Sequence, residues 1–149
     1  MEAAEAAPIV DVRRVVRTFA GDGAPVRALR DASLRVGRGE FVTVMGPSGC
    51  GKSTLLGLIA GLDVPDEGEV DVLGARVSAL SPDERARRRR STIGMVFQFF
   101  NLVETMTALD NVALACRVNG AGRAEAERRA GDLLDLLGIA DKATSSTAT

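Results

Sequence analysis

The sequence predicts an α/β fold: a phosphate-binding loop between a strand and a helix, an antiparallel sheet beside that core, and the start of a helical subdomain. Three observations carry this reading. Gly46-Pro47-Ser48-Gly49-Cys50-Gly51-Lys52-Ser53-Thr54 fits the spacing G-x-x-x-x-G-K-[ST], called Walker A. A short apolar run at 40–45 enters that loop, and a Leu-rich run at 55–60 leaves it and stops at Gly61. Two Val-rich runs joined by a Gly- and Pro-containing turn come first, as antiparallel strands do.

In chain order, 8–19 alternates loosely and reads as a strand, followed by the turn 20–25. Residues 26–36 read as a second, kinked strand with Leu29, Ala32, Leu34 and Val36 inward. Gly37-Arg38-Gly39 turns the chain into the strand 40–45. After the loop and its helix, 63–68 is a turn and 69–74 alternates as a strand. Ser81-Pro82-Asp83-Glu84 is a helix start, with Ser81 as N-cap and Glu84 completing a capping box. The run Arg87-Arg88-Arg89-Arg90 on that helix suits either an anion patch or a solvated face. The solvated face is preferred because the chain has no basic surplus. Residues 92–97 read as a strand with Gln98 at its exit, where ligand groups gather in open α/β sheets. Phe99-Phe100-Asn101-Leu102 is an apolar loop, a helix starts near Thr107, and an amphipathic helix spans 123–137 before Gly138. The helical period rules out Leu133-Leu134-Asp135 as an acid-ended strand. Residues 143–149 are low in complexity and read as a disordered tail.

Each Walker A position has a physical task. Gly46, Gly49 and Gly51 reach backbone angles closed to other residues and let the backbone approach a ligand. Successive N–H groups form an anion nest at a helix N-terminus, which carries partial positive charge. Lys52 is placed to reach the outer phosphates of a nucleotide, and the Ser53 hydroxyl to bind Mg²⁺.

Composition narrows the classes. The chain has 149 residues, 46% hydrophobic, with a net charge of −1, which argues against a nucleic-acid-binding domain. Aromatic content is 3%, with no Trp and no Tyr, so aliphatic residues must build the core. Lys52 is one of two lysines, the other being Lys142. The two cysteines, Cys50 and Cys116, fit a reducing compartment. No apolar run approaches the 18 residues of a membrane span, and residues 1–7 lack the pattern of a signal peptide. These features predict a soluble, cytoplasmic chain.

The motifs together resemble the ATP-binding subunit of an ABC transporter, in particular the lipoprotein-release and macrolide-export type. The resemblance rests on Ala28 to Leu34, Gly39 to Val42, Gly46 to Thr54 and Ile93 to Leu102, and runs from about Ile9 to Lys142. It implies a P-loop core over 8–98, the start of a helical subdomain over 99–142, and flanking tails at 1–7 and 143–149. It implies ATP and Mg²⁺ as cofactors, Phe19 stacking on adenine, and Gln98 contacting Mg²⁺ and the attacking water. It also implies that 99–111 meets membrane-spanning subunits, that a second nucleotide-binding domain pairs as a homodimer, and that the protein sits at the inner face of the cell membrane. The family's signature motif, Walker B acids and switch His are not found, and the chain has no His. The expectation is therefore an incomplete domain that does not hydrolyse ATP alone. Alternatives are a non-hydrolytic nucleotide-binding regulator and a soluble ABC-type ATPase.

Overall fold

The computed structural model describes residues 7–21, 23–99 and 101–146. The expectations for residues 1–6, Asp22, Phe100 and 147–149 lie outside the described residues. The chain divides after Gly94 into two compact units, four residues before the expected boundary at Gln98.

The first unit is built on a four-stranded antiparallel sheet, in the order β2-β1-β3-β4. Its strands are β1 (Val10–Phe19), β2 (Val26–Val36), β3 (Glu67–Val72) and β4 (Ala75–Arg76). Helix α1 (Lys52–Ile59) packs on this sheet through Leu55 and Leu58, in one cluster with Val12, Val15, Leu29, Val70, Val72 and Val77. Fully burying a side chain such as Leu58 stabilises the fold by roughly 1.5–3 kcal/mol. β1 and β2 pair with shifted register where Arg14 and Asp31 take positive φ, 45° and 58°. That bulge is the kink expected in β2. Arg13 ties β1 to β3 by pairing with Asp11, Glu69 and Asp71, and Arg76 ties β4 to β3 through Glu69 and Asp71.

Helix ends follow the local chemistry of the sequence. α1 stops in a Schellman motif: Leu62 N–H donates to Gly57 O at 2.9 Å and Gly61 N–H to Leu58 O at 3.0 Å. Helix α2 (Pro82–Thr92) opens with the capping box of Ser81 and Glu84. Its arginines are not a plain solvated face. Arg85 donates to Leu80 O, Arg88 to Val72 O and Leu73 O, and Arg89 to Gly61 O at the end of α1. The spare carbonyls at strand and helix ends draw these guanidiniums inward, while Arg87 and Arg90 stay exposed.

The second unit holds α3 (Ala108–Val118) and α4 (Arg123–Leu136), packed through Ala113, Ala126 and Ala130. Thr107 caps α3, and Gly138, at φ 70°, ends α4. Asn111 holds the preceding loop, accepting from Val103 N–H at 2.7 Å and donating to Thr107 O at 3.0 Å. Residues 143–146, expected to be disordered, instead receive the start of α3: Ala108 N–H donates to Ser145 O and Leu109 N–H to Ala143 O. The unsatisfied amides of a helix N-terminus supply the reason.

Two expected strands are absent among the described residues. Residues 40–45 carry no ladder, and Phe41 is 95% exposed. Thr92 closes α2, and 93–97 is irregular, with Val96 exposed. Both runs have strand composition, but β structure forms only against a partner, and no described strand pairs with either. The parallel part of the expected core is therefore not formed, while the antiparallel part is. Purified 149-residue chain should accordingly bind ANS strongly and self-associate as its concentration rises, since unpaired apolar segments template aggregation. A sharp cooperative melt from a monomeric, ANS-silent sample would contradict this.

Candidate functional site: the loop at the start of α1

The loop is set by close backbone contacts. Gly51 precedes α1 at φ 93°, and a Cβ there would stand 2.4 Å from Ala28 O of β2. No side chain fits, so glycine lets the loop rest directly on the sheet. Gly49 is also left-handed, at φ 78°, and a Cβ on Gly46 would stand 2.6 Å from Cys50 Sγ. Leu55 N–H donates to Gly51 O at 2.9 Å, which starts the helix.

α1 has no side-chain cap and no acidic residue in its first turn. α2 and α3 each have both. The first amides of α1 and the positive end of its dipole thus face an exposed loop, an arrangement suited to an anion. Lys52 turns back over this loop and donates to Gly46 O at 2.8 Å and Pro47 O at 2.7 Å, with Cys50 Sγ at 3.6 Å. Its ammonium thereby closes the loop and remains exposed, able to exchange neutral carbonyls for a charged acceptor. Ser53 and Thr54 follow in the first turn, with Ser53 exposed. Among the described residues no group of three or more His, Cys, Asp or Glu side chains is placed to hold a metal ion.

A cleft of about 400 Å³ lies beside the loop, lined by Arg27 to Arg30 and Ala32 of β2 together with Gly49 and Cys50. Phe19 pairs with Val26 at the neighbouring end of β1 and is 39% exposed, too open for a core residue. Arg17 lies over its ring, 4.8 Å from the centroid. Arg17 also donates to both oxygens of Asp63, at 2.8 and 2.9 Å, and to Asp66 at 2.7 Å. Sequence reasoning missed this group, because nothing local links a strand arginine to aspartates almost fifty positions away. Gln98 lies exposed at a bend in the second unit, whereas the loop, the cleft beside it and Phe19 all belong to the first.

Hydrogen bonds from Arg17 and from the Thr18 N–H hold the Asp66 carboxyl below its ordinary pKa. The sign is that of a depressed acid. Its contribution to stability is full above the unfolded value, near about pH 4, and is lost as pH falls through the lower folded value. Asp66→Asn should therefore flatten the acid limb of the melting temperature below about pH 4. Superimposable acid limbs in circular-dichroism melts would show that Asp66 carries no such linkage.

Comparison with known proteins identifies the family. The family model described as "ABC transporter" matches residues 29–149. The chain is 41% identical over 134 residues to an uncharacterized ABC transporter ATP-binding protein of Methanocaldococcus jannaschii, covering 90% of this chain and 60% of that protein. It is 48% identical over 134 residues to the methionine import ATP-binding protein MetN 1 of Rhodopseudomonas palustris, covering 90% of this chain and 36% of that protein. Among solved structures it is similar to the ATP-binding cassette MJ0796 in a dimeric post-hydrolysis state bound to ADP and Pi. There the TM-score is 0.86 at 37% identity, over 93% of this chain and 61% of that one. The chain thus spans about three fifths or less of the length of these relatives.

Proposed function

The chain belongs to the ABC transporter family, as an ATP-binding domain, and from that premise we propose that the loop 46–54 binds the phosphates of ATP. The observation that carries this is the uncapped start of α1 beneath a lysine held only by carbonyls and a thiol. Gly46, Pro47, Ser48, Gly49, Cys50 and Gly51 supply the backbone cradle. Lys52 takes the outer phosphates, Ser53 donates its hydroxyl to Mg²⁺, and Thr54 adds an amide of the first turn. The cleft beside the loop is within the roughly 300–1,000 Å³ of small-molecule sites, and Phe19, on the strand paired with the one that lines it, offers a ring face to adenine. Gln98 positions water and Mg²⁺ in the assembled transporter.

The wider role is ATP binding and hydrolysis coupled to transport. We place the protein at the cytoplasmic face of the membrane, with membrane-spanning subunits as partners and a second copy completing the nucleotide site. Among the described residues no helix is long and apolar enough to cross a membrane. Residues 93–102 favour export through their resemblance to export-type proteins. The name of the Rhodopseudomonas relative favours a second reading, import.

Lys52→Ala removes a charge-assisted contact and should weaken ATP binding by about 1.5–3 kcal/mol, roughly ten- to a hundredfold in Kd. Equal calorimetric affinities for the two proteins would count against the site. In phosphate-release assays the 149-residue chain alone should turn over ATP no faster than Lys52→Ala, because it lacks a Walker B acid and general base. Clear Lys52-dependent release would show that another residue supplies them.

A further inference from the structure

Resting on the reading of this loop as an ATP site, we propose that Arg17 is a positioning residue that holds the Phe19 ring ready for the base. The guanidinium is planar, and its donors point outward from its edge. All three nitrogens on that edge are engaged: Nε and Nη2 donate to the two oxygens of Asp63, and Nη1 donates to Asp66. These bonds fix the plane of the group, and Phe19 lies against its flat face at 4.8 Å. The backbone is fixed as well. Thr18 N–H donates to Asp66 Oδ2 at 2.7 Å, and Asp66 N–H to Val16 O at 2.8 Å. The ring therefore has one face against a cation and keeps 39% of its surface exposed.

Asp63 and Asp66 stand in the loop that leaves α1, the helix whose other end carries Lys52. One short helix thus fixes both ends of the site, with the phosphate cradle at its N-terminus and the clamp on the base platform beyond its C-terminus. The bound base completes a stack of guanidinium, phenyl ring and heterocycle. Arg17 touches neither phosphate nor base, so its effect should appear only with ligands that carry a base.

The test compares ATP with inorganic pyrophosphate, which occupies the cradle alone. Arg17→Met keeps the aliphatic stem and removes the cation. It should weaken ATP roughly two- to fivefold, the scale of one cation–π contact, and leave pyrophosphate affinity unchanged. Arg17→Lys keeps the charge but cannot bridge both aspartates, and should show a smaller loss of the same kind. Because the chain has no Trp and no Tyr, Phe19→Trp provides a lone reporter that ATP should quench and pyrophosphate should not. Unchanged ATP affinity in both Arg17 variants, or equal losses for ATP and pyrophosphate, would overturn the proposal. If the unaltered chain binds neither ligand, or binds both independently of Lys52, the ATP-site reading itself fails and this inference falls with it.

Discussion

The approach of Gly51 to the Ala28 carbonyl is the constraint on which the site depends. It lets the loop lie against β2 with no side chain between them, and it sets the left-handed turn from which α1 begins. The helix is then anchored by Leu55 and Leu58 in the sheet's apolar cluster. Its first amides are left facing the loop, where the fold gives them no side-chain cap. Uncapped amides cost stability when no ligand satisfies them, and the sheet packing behind α1 offsets that cost.

Lys52 closes the loop around its ammonium through bonds to Gly46 O and Pro47 O. A phosphate oxygen is a stronger acceptor than a carbonyl because both partners are charged, so these contacts can be exchanged for a phosphate. In the proposed site the Arg17 clamp would do for the base what the loop does for the phosphates. Its bonds with Asp63 and Asp66 preset the orientation of the guanidinium, and such preorganisation lowers the ordering cost of binding.

Features fixed by local chemistry were legible in the sequence. The Walker A loop, the Ser81–Glu84 box, the helix start near Thr107 and the Gly61 and Gly138 stops all depend on residue types a few positions apart, and each stands where it was expected. Features that need a distant partner were not. Residues 40–45 and 92–97 have strand composition but find no ladder here, whereas two-residue β4 carries too little pattern to be seen. The arginine run looked solvated because its carbonyl acceptors come from the ends of two distant elements, β3 and α1. The hydrogen bonds of 143–146 depend on the start of α3, which composition alone cannot reveal.

The central claim is that backbone amides at the start of α1 receive the phosphates of a nucleotide. Amide chemical shifts in ¹⁵N-labelled chain, followed as Mg-ATP is added, address those groups one by one. The account predicts that the largest changes fall on Gly49, Cys50, Gly51, Lys52 and Ser53, and that pyrophosphate reproduces them. Changes spread over α3 and α4 with this loop unmoved would contradict it.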